Sequence, residues 1–471
     1  MTTLIERLEA NAARHPDKAV FIYPVNGMWT TVTYAQLLDS TRRFTSGLLA
    51  CHAVPGMRAA LMTPPSADFF ALTFALLKLG IIPILVDPAI GLKKVSECLK
   101  ESQPDIFIGN TLTHALRIGF GWGRDSIKLN VTIEKIKNVE SRTSKVKDLI
   151  PNSLIPNHLI PESPAAIIYT SGSTGLPKGA VYTQANFAAQ MDMLADTFNI
   201  TPDEVHAIQR FNVTNMFASP VVLDILERFW SSKKIQQQAV GLHNGLDSLK
   251  RIITAGAPAP IQLQEKFRKL LNDKTDLFGI YGATEALPIA KIESRELFEL
   301  KEKTANGAGI CLGRPVTGAQ VRVIQITDSV IAQWQSQLEV PPNVVGEITV
   351  TGAAVTGSYV AREEATQLAK IRDGAEIIHR MGDVGYFDEQ GRLWYCGRKS
   401  HRVVTQDGVL FTEQIEGIFN AHPLVYRTAL VGVQGKPVLW VETVKLSGKE
   451  SSPQSHKDSR TQRKKTLWLR P

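Results

Sequence analysis

The sequence predicts an α/β protein. It would have a large N-terminal domain of parallel sheets flanked by helices, a β-rich subdomain, and a small α+β domain at the C-terminal end. Three observations predict this. Through residues 1–160, short apolar runs alternate with segments of helical period, the pattern of βαβ units. From Gly313 to Leu393 the chain changes to short strands and Gly turns. Beyond Ser400 come a hairpin signal, one helix and two apolar strands. A chain of 471 residues is also too long for one compact core.

The elements follow in order. Thr33-Tyr34-Ala35-Gln36 is a capping-box signature opening an amphipathic helix that runs to about Leu49. Arg58 to Met62 reads as a strand, Ser66 caps a helix ending near Gly80, and Ile81 to Val86 is again a strand. Residues 110–160 are rich in Lys, Asn and Ser and are expected to form a surface excursion. Ala165 to Tyr169 reads as a buried strand, Gly179 to Tyr182 as a second, and Asn186 to Phe198 as a helix. Leu249 to Thr254 is a strand, Ala255-Gly256-Ala257-Pro258 a turn, Ile261 to Leu271 a helix, and Leu277 to Tyr281 a strand. Gly397 to Ser400 is a polar connector, and Asp407-Gly408 marks a hairpin. A helix from Thr412 and strands at Arg427–Val433 and Val438–Val444 follow. From Ser447 the chain is polar and aperiodic, and is expected to be disordered.

Composition excludes several classes. The net charge of +8 is concentrated at the end: from Lys445 to Pro471 there are eight Lys/Arg and two acids, leaving the body near neutral. No basic groove for nucleic acid is implied, and the tail's only aromatic is Trp468. Cys51, Cys98, Cys311 and Cys396 are scattered without CxxC spacing, which fits reduced thiols in a cytoplasmic protein. Glu6 and Glu9 in the first helical segment argue against a secretory signal. The apolar stretch Phe69 to Val86 is broken by Lys78, Gly80 and Pro83, so no stable membrane insertion is expected.

The chemistry is concentrated in three motifs. Tyr169-Thr170-Ser171-Gly172-Ser173-Thr174-Gly175-Leu176-Pro177-Lys178-Gly179 packs three glycines, four aliphatic hydroxyls and one lysine into eleven residues. Glycine lets backbone N–H groups turn toward an anion, hydroxyls donate further hydrogen bonds, and lysine adds a point charge. A Walker loop would need Ser or Thr after the lysine and a helix starting there. Here Pro177 precedes Lys178 and Gly179 follows it, so the setting is strand–loop–strand. An ordinary Gly/Ser-rich hairpin is the other reading. The second motif is Tyr281-Gly282-Ala283-Thr284-Glu285: a ring beside a glycine can stack on a base, and the hydroxyl and carboxylate can reach phosphate and Mg²⁺. The third places Asp383 between Gly382 and Gly385, with Gly397-Arg398 downstream. A carboxylate can accept both ribose hydroxyls, and a β-turn aspartate is the plain alternative.

In this order the motifs resemble the AMP-forming acyl-adenylating superfamily of acyl-CoA synthetases, luciferases and peptide-synthetase adenylation domains. The resemblance implies ATP and Mg²⁺. Thr170, Ser171, Gly172, Ser173, Thr174, Gly175 and Lys178 would hold the β- and γ-phosphates. Thr284 would contact the α-phosphate, and Glu285 the metal. Gly256, Ala257 and Pro258 would face Tyr281 and Gly282 across adenine, and Asp383 with Arg398 would hold ribose. Lys178, Thr284 and Glu285 are the implied catalytic residues. Glu347 matches a framework position, and Ser400 the hinge of a rotating C-terminal domain. "FNVTNMFASP", "AGAPAP", "YGATEALPIA" and "HRMGDVGYFDEQGRLWYCGRKSHRV" resemble, more narrowly, olefin-biosynthesis β-lactone synthetases and fatty-acid–CoA ligases. That implies a fatty or β-hydroxy fatty acid as substrate, with coenzyme A as a possible acceptor.

Two departures stand out. Near Asp203 several tens of residues of the acyl site are absent, and the lysine of the family's "PRT…GK" segment has no counterpart; Lys449 has only the residue type. The expected organisation is an AMP-binding domain over 1–396 with the internal gap, a truncated C-terminal domain over 397–446, and a basic tail over 447–471. The departures leave open a degenerate relative that binds nucleotide without catalysis.

Overall fold

The computed structural model describes residues 2–25, 28–138, 160–170, 177–198, 214–231 and 246–444. The segment around Asp203, Ser447 onward and Lys449 lie outside the described residues.

β1 (Ala19–Val25) and β2 (Met28–Thr33) form a hairpin leading into the helix Tyr34–Ala50. Thr33 and Gln36 make the reciprocal capping box that the sequence signature requires. The first large sheet contains β3 (Arg58–Met62), β4 (Ile82–Leu85), β5 (Ile106–Gly109), β6 (Leu129–Thr132), β7 (Pro164–Tyr169) and β8 (Gly179–Thr183), in the order β6-β5-β3-β4-β7-β8. All neighbours are parallel except β7 and β8. Period-two alternation divides the core. Ala59, Leu61, Ile106 and Ile108 face a layer containing Phe44, Leu48, Leu72 and Leu76. Ala60, Met62 and Phe107 face the opposite layer, with Leu99, Trp122 and Ile167.

The expected excursion over 110–160 is corrected in its first part. Asn110 caps a helix, Thr111–Phe120, and β6 adds an edge strand. β6 has only Val131 fully buried, so its sequence carries no continuous apolar run.

Among the described residues the second sheet has ten strands. They are β9 (Asn215–Ala218), β10 (Arg251–Thr254), β11 (Asp276–Ala283), β12 (Ala286–Glu293), β13 (Ile310–Pro315), β14 (Gln320–Ile324), β15 (Gly346–Thr351), β16 (Lys370–Asp373), β17 (Glu376–Phe387) and β18 (Leu393–Arg398). The path is β14-β15-β17-β18-β13-β12-β11-β10-β9, with β16 on β17. Only β9, β10 and β11 run parallel, so the expectation of a second parallel sheet holds for that part alone. Thr284 and Glu285 alone join β11 to β12, and so short a turn can connect only antiparallel strands. The β-rich region therefore continues the same sheet. Gly397 and Arg398, expected in a connector, complete β18, because Val384 and Asp383 pair with them.

Last come the hairpins β19 (Val403–Thr405) with β20 (Gly408–Leu410), and β21 (Val425–Val433) with β22 (Lys436–Thr443). The helix Thr412–Asn420 lies against β21, and Val403, Leu430 and Leu439 form the small core there.

Candidate active site

β10 and β11 are parallel neighbours, with Thr254 opposite Gly279. Past that pair β10 ends and its chain turns at Gly256, while β11 runs on through Tyr281 to Ala283; this is the carboxyl end of the parallel strands, where open α/β sheets form ligand crevices. Gly256 has φ 91°, a turn conformation that glycine alone adopts readily. The register of β17 and β18 places Asp383 opposite Arg398. Gly256, Ala257, Pro258, Tyr281, Gly282, Asp383 and Arg398 line one cavity of about 150 Å³.

Asp383 is 3% exposed. Tyr281 Oη donates to its Oδ2 at 2.6 Å, and Arg398 Nη1 stands 2.8 Å from Oδ1. The carboxylate is therefore anchored at both oxygens, one by a phenol and the other by a guanidinium. Burial pushes the Asp383 carboxyl up, and the Arg398 guanidinium partly opposes this. Burial and the Asp383 charge push the Tyr281 phenol well above its ordinary value, so it stays a donor. A carboxylate fixed in this way on a cavity wall is an acceptor of the kind that suits a hydroxyl donor such as ribose.

The phosphate side lies on β7 and β8. Thr170 N donates to Lys178 O at 3.0 Å, and Lys178 N donates to Thr170 Oγ1 at 3.3 Å, closing a hairpin with no helix start at the lysine. Ser171, Gly172, Ser173, Thr174 and Gly175 lie outside the described residues. A Cβ on Gly179 would fall 2.7 Å from Val360 Cγ1, so only glycine permits this approach. The 358–360 segment pairs with β8 through Val181 N to Ser358 O at 3.1 Å and Val360 N to Gly179 O at 2.8 Å. This brings the Tyr359 ring 5.1 Å from Lys178 Nζ.

Thr284 and Glu285 occupy the β11–β12 turn, and Tyr182 Oη donates to Thr284 O. Tyr359 Oη donates to Glu285 Oε1 at 2.6 Å, and Thr356 N donates to Glu285 O at 2.9 Å. One positioned carboxylate suits Mg²⁺, which keeps water and substrate-phosphate ligands. Among the described residues no cluster of three or more His, Cys, Asp or Glu could hold a metal by itself.

Sequence reasoning missed Lys370. It is 7% exposed, and its Nζ donates to Thr356 O at 2.6 Å. Burial pulls its pKa down to about 7, with Glu285 opposing. Lysine is normally a surface residue, so no local signal marks it. Tyr182 and Tyr359 stand 102 and 74 positions from the groups they hold, which is also invisible locally. Glu347 is saturated by Arg380 at 2.6 Å and Lys399 at 3.0 Å, as a framework acid would be. All four cysteines are free and buried.

The sequence model of a family described as "AMP-binding enzyme" matches residues 8–207 and 193–360. The chain belongs to that family. This AMP-binding enzyme is 36% identical to the olefin β-lactone synthetase of Xanthomonas campestris pv. campestris, over 94% of this chain and 88% of that protein. It is 37% identical to the olefin β-lactone synthetase of Stenotrophomonas maltophilia, over 95% and 88%. Its fold matches the o-succinylbenzoate coenzyme A synthetase of Bacillus subtilis in complex with ATP and magnesium ion. There the TM-score is 0.71, at 20% identity, covering 94% of this chain and 90% of that one. A long-chain-fatty-acid–CoA ligase from Archaeoglobus fulgidus matches with a TM-score of 0.67 at 19% identity, covering 93% of this chain and 90% of that one. The chain is an acid-adenylating ligase by this membership. Among the described residues no helix is long and apolar enough to cross a membrane.

Proposed function

We propose that this enzyme uses ATP and Mg²⁺ to activate a fatty or β-hydroxy fatty acid as acyl-AMP, releasing pyrophosphate. The observation that carries the nucleotide half is buried Asp383, held by Tyr281 and Arg398 and facing the cavity that the Gly256–Pro258 turn lines. The acyl half is supported by the olefin β-lactone synthetases, more than a third identical over nearly the whole chain.

In this reading Asp383 and Arg398 fix the ribose, while the Gly256–Pro258 turn and Tyr281 hold the base. Lys178 and the loop residues Thr170 to Gly175 bind the β- and γ-phosphates. Thr284 stands at the α-phosphate, and Glu285, oriented by Tyr359, would hold Mg²⁺. Bound Mg²⁺ supplies charge neutralisation on the triphosphate. A carboxylate oxygen of the acid bonds to the α-phosphorus. The bond from phosphorus to the bridging oxygen breaks, and its electron pair leaves with pyrophosphate. The protein's part is positioning and stabilisation of developing charge. The acyl group then passes to the acid's own β-hydroxyl, closing a β-lactone, or to the thiol of coenzyme A, with AMP leaving. The enzyme works in the cytoplasm, on a small-molecule substrate rather than nucleic acid.

A second reading, nucleotide binding without catalysis, is favoured by two observations. The two pieces of the family match meet at residues 193–207. The alignment to the Xanthomonas protein also runs over 511 positions, more than this 471-residue chain contains. On this reading part of the acyl-pocket wall is missing and no adenylation follows. ATP–pyrophosphate exchange with a panel of fatty and β-hydroxy fatty acids separates the readings. Acid-dependent exchange supports the first. Nucleotide binding without exchange for any acid supports the second.

A further inference from the structure

One buried side chain near Glu285 has no part in the reading above. Lys370 opens β16, opposite His379 of β17. Its Nζ donates to Thr356 O at 2.6 Å and stands 3.4 Å from Thr356 Oγ1. Thr356 in turn directs both of its donors at one atom. Its N donates to Glu285 O at 2.9 Å, and its Oγ1 to the same oxygen at 3.3 Å. The side chain of Glu285 is held from the same quarter. Tyr359 Oη donates to Oε1 at 2.6 Å, and the centre of the Tyr359 ring lies 5.8 Å from Lys370 Nζ. Tyr359 N donates to Thr366 Oγ1 at 3.0 Å, and Thr366 belongs to the helix Glu363–Ala369, which delivers Lys370. Lys370, Thr356, Tyr359 and Glu285 are all buried. Two paths therefore run from Lys370 to Glu285, one to its backbone and one to its carboxylate. Among the described residues Lys370 is the donor to Thr356 O. A buried carbonyl without a donor is costly. Without the amine, the 356 peptide turns toward another donor and draws Thr356 N and Oγ1 away from Glu285.

We propose that Lys370 is a positioning residue for the metal carboxylate, holding the Thr356 peptide and the Tyr359 ring where they fix Glu285 toward Mg²⁺. The assignment rests on the reading above that Glu285 holds the metal, and it adds the support that keeps that carboxylate in place. Lys370 acts through Thr356 and Tyr359, not by contact with the ion. Mg²⁺ demands near-ideal octahedral geometry, so a single protein carboxylate that drifts loses most of its worth as a ligand. Outer partners of a ligating group matter for the same reason. AMP, in the same reading, is held by Asp383, Arg398 and the Gly256–Pro258 turn, and its binding does not pass through Lys370.

The test is calorimetric binding of ATP to the full chain, once with Mg²⁺ and once with EDTA in its place. The ratio of the two affinities is the gain due to metal. The wild type should show a gain, and Glu285→Gln should lose most of it. Lys370→Met should cut the gain about tenfold, the low end for an outer partner of a metal ligand. It should leave AMP binding unchanged, which also shows that the variant is folded. Lys370→Leu, which likewise lacks a donor, should behave in the same way and serves if the Met protein does not fold. Added to Glu285→Gln, Lys370→Met should change the gain no further, because both act on one carboxylate. A folded Lys370→Met protein with the full wild-type gain would overturn the proposal. So would an equal loss of AMP and Mg²⁺–ATP affinity, which is a general packing effect, or a further tenfold cut in the double variant. If the wild type gains nothing from Mg²⁺, or Glu285→Gln keeps the full gain, the metal reading of Glu285 itself fails and the role of Lys370 fails with it.

Discussion

Two buried carboxylates on neighbouring strands are treated in opposite ways. Glu347 on β15 is 1% exposed and meets two cations, Arg380 and Lys399. Arg380 also donates to the carbonyls of Ser329, Leu368 and Thr327, so the cluster is closed by protein alone. Asp383 on β17 is as deeply buried, but its partners are one phenol, Tyr281, and one half-exposed cation, Arg398, and it lies on a cavity wall. A buried charge enclosed by protein alone is a fastening; one on a cavity wall with a half-exposed partner is a place for a ligand. Sequence alone would not separate them, since each is an acid near a glycine in a strand.

The largest expected effect breaks the fastening. Glu347→Gln leaves two cations without their carboxylate, and should lower unfolding stability by about 3–5 kcal/mol in denaturant titration. Its nucleotide affinity, measured on the folded fraction, should stay unchanged. A stable Glu347→Gln protein with weakened ATP binding would reverse the assignment of the two acids.

Lys370 sharpens the comparison, because among the described residues it has a carbonyl partner but no carboxylate within ion-pair distance. Its folded pKa of about 7 lies below its ordinary 10.5. Between those values the unfolded chain binds the proton and the folded one sheds it, so stability from this group rises with pH. Below pH 7 the penalty is at its full size. Lys370→Met should therefore be neutral to about 1–4 kcal/mol stabilising near pH 6. The advantage should shrink from pH 7 upward and vanish above 10.5. Melts across that range check it; a difference that stays constant with pH would show that the lysine is not held at a lowered pKa.

Tyr281→Phe is the smallest. It removes the donor to Asp383 Oδ2 and should weaken nucleotide binding by about 0.5–1.5 kcal/mol, the size of one hydrogen bond. Parallel AMP and ATP titrations should show the same loss, because the two share the ribose.

The contrast also explains what the sequence could show. Local chemistry was legible: the Thr33–Gln36 box, the Ser66 cap and the turn after β10 all depend on residues within a few positions. The strand–loop–strand setting of Lys178 followed from Pro177 and Gly179, and the described hairpin has it. The motif residues Gly256, Tyr281, Asp383 and Arg398 were legible as types, and the fold brings them to one cavity. Their supports were not. Tyr359 reaches Glu285, and Lys370 reaches Thr356, only because β8 pairs with the 358–360 segment and β16 with β17. The mixed direction of the second sheet was missed because β12 was not separated from β11 across Thr284-Glu285. β6 was missed because an edge strand with one fully buried residue leaves almost no hydrophobic pattern.

The most direct test of Asp383 as a ligand site is calorimetric titration of AMP into wild type and Asp383→Asn. AMP carries the base, ribose and one phosphate, and needs neither metal nor acid. The account predicts saturable binding to the wild type. Asp383→Asn should lose about 1.5–3 kcal/mol, roughly 10- to 150-fold, with its thermal melt little changed. Equal affinity in the two proteins, or no binding to a folded wild type, would contradict it.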